Sequence, residues 1–349
     1  MKKHTSLKKF LTLSCAAAFA LSLSACSSGG ETPETTSAVS TSSAESGGSQ
    51  AAYRVAVVKQ MDHASLDEIA AAITARLDEI AAEQGVEIQY EVYSGQNDPT
   101  TLRQIGDQAI VDNVDAIIPI ATTAAQVMTV CAEETQTPVI YAAISDPATA
   151  QLTGISYVSG TSDALDTGLV LDMMLAQNPD IDMVGLLYSL SEPNSTAPIA
   201  DAKEYLDAAG IAYTEATGNT NDEVIAAASS LVAEGVDAVF TPTDNIVMAA
   251  ELAIYQDFID AGIPHYTGAD SFVRNGAFAT CGVNYTDLGA ETADLAYQAM
   301  TEGMDGMEDV YQVAGGIITV NTETAAALGI DYSVFEDMGQ VVEVETTVE

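Results

Sequence analysis

The chain repeats one pattern, in which a short apolar run is followed by a polar loop and then by an amphipathic segment. Residues 55–58 form the first apolar run, and the next segment places Leu66, Ile69, Ile73 and Leu77 on one helical face. Apolar runs without alternation are typical of strands that are buried on both faces. Such strands, separated by amphipathic helices, predict an α/β fold built on parallel sheets.

Two segments about 120 residues apart share nearly the same plan. Residues 113–123 and residues 235–245 each carry Val-Asp-Ala, an apolar run, a proline and a polar loop. The elements around the two copies also follow the same order. The sequence therefore predicts two doubly wound, Rossmann-like lobes, related by structural duplication, that face one ligand.

The elements after the second lobe predict that the chain returns to the first lobe, giving several crossings at a hinge. A helix from residue 287 and a strand around residues 310–320 carry this expectation. The predicted units are an N-lobe of residues 53–158 with 283–308, a C-lobe with hinge strands of residues 159–282 with 309–330, and an acidic tail of residues 331–349.

The N-terminus has the order of an export signal. Four lysines precede an apolar run over residues 10–23, which is too short to span a bilayer but suits a signal peptide. The following Leu23-Ser24-Ala25-Cys26 resembles the bacterial lipoprotein box. We therefore expect a signal peptide over residues 1–25, a lipidated Cys26 and a flexible tether over residues 26–52. An ordinary signal peptide with an incidental cysteine is the alternative.

Composition excludes some partners. The chain has 51 acidic and 10 basic residues, and removal of a signal peptide with four lysines leaves a formal charge of 6 − 51 = −45. Such a surface repels phosphate backbones and anionic lipids, so we expect no nucleic-acid partner. With 48% hydrophobic residues, the 349-residue chain can fill two cores. Cys131 and Cys281 are expected to be small buried side chains.

Candidate site residues follow the apolar runs, because ligands of open α/β sheets bind beyond the carboxyl ends of the strands. Most carry a hydroxyl, carboxamide or carboxylate group. The candidates are Gln60, Met61, His63, Thr122, Thr123, Ser145, Asp146, Asn194, Ser195, Thr243, Asp244, Asn245, Asp270 and Ser271.

The chemistry of these candidates fits a zwitterion such as an amino acid. Helix N-termini suit an anionic group, and Asp244 and Asp270 could accept from an ammonium group. The alternative for each polar residue is a helix cap, which is worth about 1 kcal/mol. The sequence contains no nucleotide-binding, zinc, calcium or hydrolase motif. We therefore expect no cofactor, no metal and no enzyme activity.

Several patches resemble a family of ABC-transporter substrate-binding lipoproteins whose typical members are linked to tryptophan and related aromatic amino acids. The resemblance covers residues 53–330, and its most specific parts are Glu192-Pro193-Asn194-Ser195 and Pro242-Thr243-Asp244-Asn245. It implies a type I periplasmic-binding-protein fold with the ligand closed between the lobes. The pocket residues that it carries over are Thr122, Asp146, Asn194, Ser195, Asp244, Asn245, Asp270 and Ser271.

Taken together, these features predict an exported, lipid-anchored monomer on the extracellular or periplasmic face of the cell membrane. It would close on an amino acid, which the resemblance implies is an aromatic one, and deliver it to an ABC permease and its ATPase. Two alternatives remain open at this point. One is a sensory or interaction lipoprotein with the same fold, and the other is a binding protein for a nucleoside or another neutral small molecule.

Overall fold

The computed structural model describes residues 51–347 of the chain. The predicted signal peptide, Cys26 and all but the last two residues of the predicted tether lie outside the described residues. Within the described part, no helix combines the length and apolar character needed to cross a bilayer.

The first lobe is built on a parallel sheet in the order β11-β5-β4-β3-β1-β2. Its strands are β1 (Ala52–Lys59), β2 (Glu87–Ser94), β3 (Ala116–Ile120), β4 (Val139–Tyr141), β5 (Val158–Ser162) and β11 (Tyr311–Gln312). Its helices are α1 (Ala64–Gln84), α2 (Pro99–Val111), α3 (Thr122–Ala132) and α9 (Tyr285–Glu302). The helices α1 and α9 pack so closely that a Cβ on Gly289 would lie 2.6 Å from the Ala72 side chain.

The second lobe has a sheet in the order β13-β12-β10-β9-β8-β6-β7. Its strands are β6 (Met183–Tyr188), β7 (Ala212–Thr217), β8 (Ala238–Thr241), β9 (His265–Thr267), β10 (Ala279–Gly282), β12 (Ile317–Asn321) and β13 (Gln340–Val344). Its helices are α4 (Thr167–Gln177), α5 (Thr196–Ala209), α6 (Asn221–Glu234), α7 (Asn245–Ala261), α8 (Asp270–Arg274) and α10 (Thr322–Leu328). The strands pair in parallel except for β10 with β12.

The predicted duplication is present in the topology. The orders β2-β1-β3-β4-β5 and β7-β6-β8-β9-β10 are equivalent. The repeated Val-Asp-Ala has the same role in both lobes: Asp115 Oδ2 accepts from Arg54 N at 2.7 Å, and Asp237 Oδ2 accepts from Met183 N at 2.8 Å. Each aspartate thus ties the start of one strand to its neighbour. The predicted α/β fold with two doubly wound lobes is confirmed.

The chain crosses between the lobes after β5, after β10 and between β11 and β12. The single strand expected around residues 310–320 is instead two strands in different sheets, so Tyr311 and Gln312 belong to the first lobe. Gly316, with φ +84°, lies at the turn between them, where a positive φ favours glycine.

The C-terminal residues are not a separate acidic tail, which corrects that expectation for residues 331–347. Strand β13 pairs in parallel with β12, and Phe335 is fully buried in the second core. Charged neighbours mask these apolar positions in the sequence. Cys131 and Cys281 are buried free thiols, as expected.

Candidate ligand-binding site

The two lobes face each other across a cavity at the carboxyl ends of their strands. Half of the predicted residues line it: His63, Thr122, Ser145, Asn194, Thr243, Asp244 and Asn245. The cavity has a volume of about 20 Å³, which is room for roughly one water molecule. The lobes are therefore closed on each other.

Side chains from the two lobes meet directly around this cavity. The Oγ atoms of Ser65 and Ser271 lie 2.5 Å apart, and Ser145 Oγ lies 3.1 Å from Thr243 Oγ1. At the rim, Arg274 of the second lobe pairs with Glu68 of the first. A ligand as large as an amino acid can enter only when these contacts separate.

Gln60 forms the most buried polar link between the lobes. It follows β1 and is 1% exposed. Its Oε1 accepts from Thr123 N at 3.2 Å, and its Nε2 donates to Asn97 Oδ1 at 3.0 Å and to Glu192 Oε1 at 2.7 Å. Gln60 thereby joins the start of α3 to the second lobe, although it does not line the cavity itself.

Glu192 is a buried acid that the candidate residues did not include. Its Oε2 accepts from Asn245 Nδ2 at 2.6 Å, while its Oε1 accepts from Gln60. Burial, with a smaller contribution from nearby Asp244, raises the pKa of Glu192 to about 7. Its position in the Glu-Pro-Asn-Ser patch was the signal that could have identified it.

His63 precedes α1 and lines the cavity. Its Nε2 lies 3.0 Å from Asn245 Oδ1, whereas its buried Nδ1 has no hydrogen-bond partner among residues 51–347. Burial lowers the pKa of His63 to about 4, so the imidazole is neutral at physiological pH. One polar atom on the cavity wall is thus left for a ligand.

Asp244 caps α7, and both of its carboxylate oxygens are occupied. Oδ1 accepts from Ile246 N and Val247 N at 3.0 Å each, and Oδ2 accepts from Ser189 N at 2.7 Å and Ser195 Oγ at 2.6 Å. Burial raises the pKa of this carboxyl above its ordinary value. The geometry favours the capping alternative over an ammonium contact, and it gives Ser195 a supporting role.

Asp163 provides a second buried carboxylate on the cavity wall, and sequence reasoning missed it. Its Oδ1 accepts from Ser145 Oγ at 2.9 Å, and its Oδ2 accepts from Tyr285 OH at 3.1 Å. Burial raises its pKa above the ordinary value, and it also raises the pKa of Tyr285. A buried carboxylate with only neutral donors favours a cationic partner. Asp163 directly follows β5 and Tyr285 lies just beyond β10, so the strand-end rule points to both.

The cavity also has an apolar wall made by residues of both lobes. Leu66 and Ile69 come from α1, whereas Met248 and Phe272 come from α7 and α8. All four are buried. This wall suits an apolar or aromatic ligand group.

Two helices begin at the cavity without a cap from the residue that precedes them, although Gln60 accepts from Thr123 N in the first turn of α3. The residues before α1 and α3, His63 and Ala121, make no capping hydrogen bond through their side chains. Ala121 has φ 76° and ψ 162°, a conformation that is costly for a residue with a Cβ. Free N–H groups at such helix starts suit an anion.

The other predicted residues surround the cavity rather than line it. Asp146 accepts from Thr149 N at 2.9 Å, and Asp270 pairs with Arg274 at 2.6 Å. Met61 packs against the core shared by the lobes. Thr123 contacts Gln60, and Ser271 contacts Ser65. A local turn therefore holds Asp146, and the ion pair with Arg274 holds Asp270.

Residues 54–337 match the model of a family described as ABC transporter substrate binding protein. A tyrosine-binding protein of Clostridioides difficile is 27% identical over 279 residues, covering 78% of this chain and 80% of that protein. An ABC domain from Streptococcus pneumonia, solved in complex with L-Trp, superposes with a TM-score of 0.73 at 27% identity, covering 82% of this chain and all of that one. A ligand-free, open structure of a substrate-binding protein with adhesive properties from Clostridium difficile gives a TM-score of 0.63 at 27% identity, covering 84% of this chain and all of that one.

Proposed function

Because the chain belongs to the family of ABC transporter substrate-binding proteins, we propose that it binds an amino acid, preferably an aromatic one, between its lobes. We further propose that it delivers this ligand to an ABC permease and its ATPase. The transport role rests on membership of the family.

The observation that carries the amino-acid assignment is the buried carboxylate of Asp163. Its two partners, Ser145 and Tyr285, are neutral, so a ligand ammonium would supply the missing positive charge. Asn194 adds a second acceptor, because it is 8% exposed and its Oδ1 has no partner within the described residues. An α-ammonium group offers three donors to such acceptors.

The opposite end of an amino acid also has a place in this cavity. Backbone N–H groups at the starts of α1 and α3, other than that of Thr123, which donates to Gln60, would hold the α-carboxylate. Leu66, Ile69, Met248 and Phe272 would pack against the side chain. The tyrosine-binding relative and the L-Trp complex support an aromatic side chain.

Ligand binding is expected to use a hinge, because the cavity between the closed lobes is small. Small-angle scattering of the purified protein should show a smaller radius of gyration with ligand than without it. Equal radii, with binding demonstrated separately, would contradict hinge closure.

A thermal-shift panel of amino acids, nucleosides and sugars tests the ligand class. A ligand at one hundred times its dissociation constant should stabilise the protein by about 2.7 kcal/mol. We expect the largest shifts from L-tyrosine and L-tryptophan. Stabilisation by nucleosides or sugars, without any by amino acids, would overturn the assignment.

We also propose that the protein is exported and held on the outer face of the cell membrane by a lipid on Cys26, as a monomer. The lysine-rich start, the apolar run and Leu-Ser-Ala-Cys support this. Cys26→Ser should move the protein from the membrane fraction to the soluble fraction. Retention of the variant at the membrane would contradict the anchor.

A further inference from the structure

We propose that Glu192 is a positioning residue that holds the proton of His63 on Nε2. Nδ1 of His63 then faces the ligand as a hydrogen-bond acceptor, and it meets an N–H or O–H group on the ligand's side chain. The ligand part of this inference rests on the proposed function, whereas the proton position on His63 does not.

The backbone N–H group of Thr123 determines which atom of the Gln60 amide donates and which accepts. Thr123 N can only donate, and it lies 3.2 Å from Gln60 Oε1. The other end of this amide, Nε2, must therefore donate, and it lies 2.7 Å from Glu192 Oε1. An ionised Glu192 accepts at both oxygens.

Asn245 determines which nitrogen of His63 carries the proton. Its Nδ2 donates to Glu192 Oε2 at 2.6 Å, which leaves its Oδ1 as the atom that faces His63 Nε2 at 3.0 Å. A carbonyl oxygen can only accept, so Nε2 must carry the proton. A neutral imidazole has one N–H group, and Nδ1 is consequently the acceptor.

Nδ1 is buried without a hydrogen-bond partner in the described part of the chain, and His63 lines the cavity. Leaving such an atom unpaired is costly, so a ligand donor at this place adds affinity and selectivity. The Asp163 and Asn194 acceptors already suit the ammonium group. The atom left for His63 is then an indole N–H or a phenol O–H, and phenylalanine has neither.

Glu192→Gln reverses the hydrogen bonds that run from residue 192 through Asn245 to His63, and it leaves the shape of the side chain nearly unchanged. Gln60 Nε2 must still donate, so the new side chain presents its oxygen to Gln60 and its NH₂ group to Asn245. The Asn245 amide then turns over and donates to His63 Nε2. The proton of His63 moves to Nδ1, which becomes a donor toward the cavity.

Tryptophan and tyrosine respond differently to this reversal, which makes them the useful probes. An indole N–H can only donate, whereas a phenol can donate or accept. At pH 8 the wild-type protein should prefer L-tryptophan to L-phenylalanine by roughly tenfold. Calorimetric titration of E192Q should show this preference lost and the tyrosine preference largely kept.

Nitrogen-15 NMR of the histidine ring reads the proton position in the closed protein, in which His63 meets Asn245. The lobes are held closed by bound L-phenylalanine, which has no side-chain donor, or by the nucleoside or sugar that binds if no amino acid does. Wild-type protein at pH 8 should show His63 protonated on Nε2, and E192Q should show it protonated on Nδ1. Lowering the pH of wild-type protein to 6 should act like the substitution, because it protonates Glu192. The pH change on wild-type protein tests the inference even if E192Q folds poorly.

Other charged groups surround these two residues. Glu192 faces Asp244, and the charges around His63 are Lys59, Asp62 and Asp67. E192Q distinguishes the titration of these groups from that of Glu192. In the variant, the His63 proton should not move between the ring nitrogens when the pH changes from 8 to 6.

Glu68→Gln is the matched control, because it also neutralises a carboxylate that bridges the lobes, through Arg274. It should change affinity for all three amino acids alike and leave the His63 proton on Nε2. A wild-type His63 protonated on Nδ1, or an E192Q protein that keeps the proton on Nε2, overturns the inference. If NMR shows the exchange but no aromatic amino acid binds, the Glu192 assignment stands and the proposed function fails.

Discussion

Gln60 Nε2 donates to Glu192 Oε1 at 2.7 Å across the boundary between the lobes. The first side chain after β1 thus meets an acid of the second lobe in a place where both are almost fully buried. A carboxylate in such surroundings is costly to ionise. Closure of the lobes and the charge of Glu192 are therefore linked.

This link predicts that stability falls as pH rises. Burial raises the pKa of Glu192 from 4.5 to about 7, so between these values the folded state binds more protons than the unfolded chain. The stabilisation is complete below pH 4.5 and is lost as pH rises through 7. A tenfold difference in proton affinity is worth about 1.4 kcal/mol, which makes the loss on the order of 3 kcal/mol.

Urea denaturation at pH 5 and pH 8, with saturating ligand so that the lobes stay closed, measures this change in the free energy of unfolding. Other carboxylates of this acidic chain contribute a slope of the same sign through their repulsion. Glu192→Gln removes the contribution of residue 192 together with its interaction with Asp244, so the slope of the variant should be smaller. Equal slopes in the two proteins would refute the prediction.

Asp163→Asn should abolish ligand binding while the fold is kept. A ligand ammonium would lose its counter-charge, which corresponds to a loss of at least about 100-fold in affinity. Because the change removes a buried charge with neutral partners, the melting temperature should stay the same or rise. Calorimetric titration and thermal denaturation measure the two effects.

Asp146→Asn is the control for this substitution, because Asp146 accepts from Thr149 N and an asparagine can do the same. Its affinity should remain close to that of the wild type. Equal losses in the two variants would show that Asp163 has no special role in binding.

Asp244→Ala should mainly cost stability. Four donors lose their acceptor, and two of them are N–H groups in the first turn of α7. We expect a loss of about 3 kcal/mol in the free energy of unfolding. The folded fraction should keep its affinity for ligand to within about tenfold, since the carboxylate makes no ligand contact in this interpretation.

Asp98→Ala is a matched cap at the start of α2. Asp98 accepts from Thr100 N at 2.7 Å and is exposed, so its removal should cost less stability than removal of the buried Asp244. If Asp244→Ala costs no more than Asp98→Ala and abolishes binding, Asp244 is a ligand contact and not primarily a cap.

The repeated apolar runs predicted the two lobes, because strands buried on both faces leave a clear pattern. The sequence could not separate Asp163 from Asp146 and Asp270 as a ligand acceptor. All three follow strands, and the difference lies in which hydrogen bonds the folded loops supply. Asp163 was missed because β5, Val-Ser-Gly-Thr-Ser, is buried although it is mostly polar. Strand β13 was missed because charged residues surround its three valines in the sequence.

The contact between Gln60 and Glu192 could not be predicted from the sequence. The two residues are 132 positions apart and belong to different lobes. Only the closing of one lobe on the other brings them together, and no local pattern encodes that distance.

Ala121→Gly should stabilise the protein, although glycine usually weakens one. Ala121 has φ 76° and ψ 162°, a region that is essentially restricted to glycine and costs other residues about 1–3 kcal/mol. The added freedom of glycine in the unfolded chain offsets about 0.5–1 kcal/mol of the gain. The net effect should be an increase of about 1 kcal/mol in the free energy of unfolding, measured by urea denaturation.

Ala71→Gly is the control, because Ala71 is exposed within α1 and should lose about 1 kcal/mol on substitution. Ligand affinity shows whether the strain at Ala121 has a role in binding. If the conformation serves to hold the start of α3 against the ligand, Ala121→Gly should bind several-fold more weakly because that start gains freedom. Equal destabilisation by both glycine substitutions would show that Ala121 is not strained.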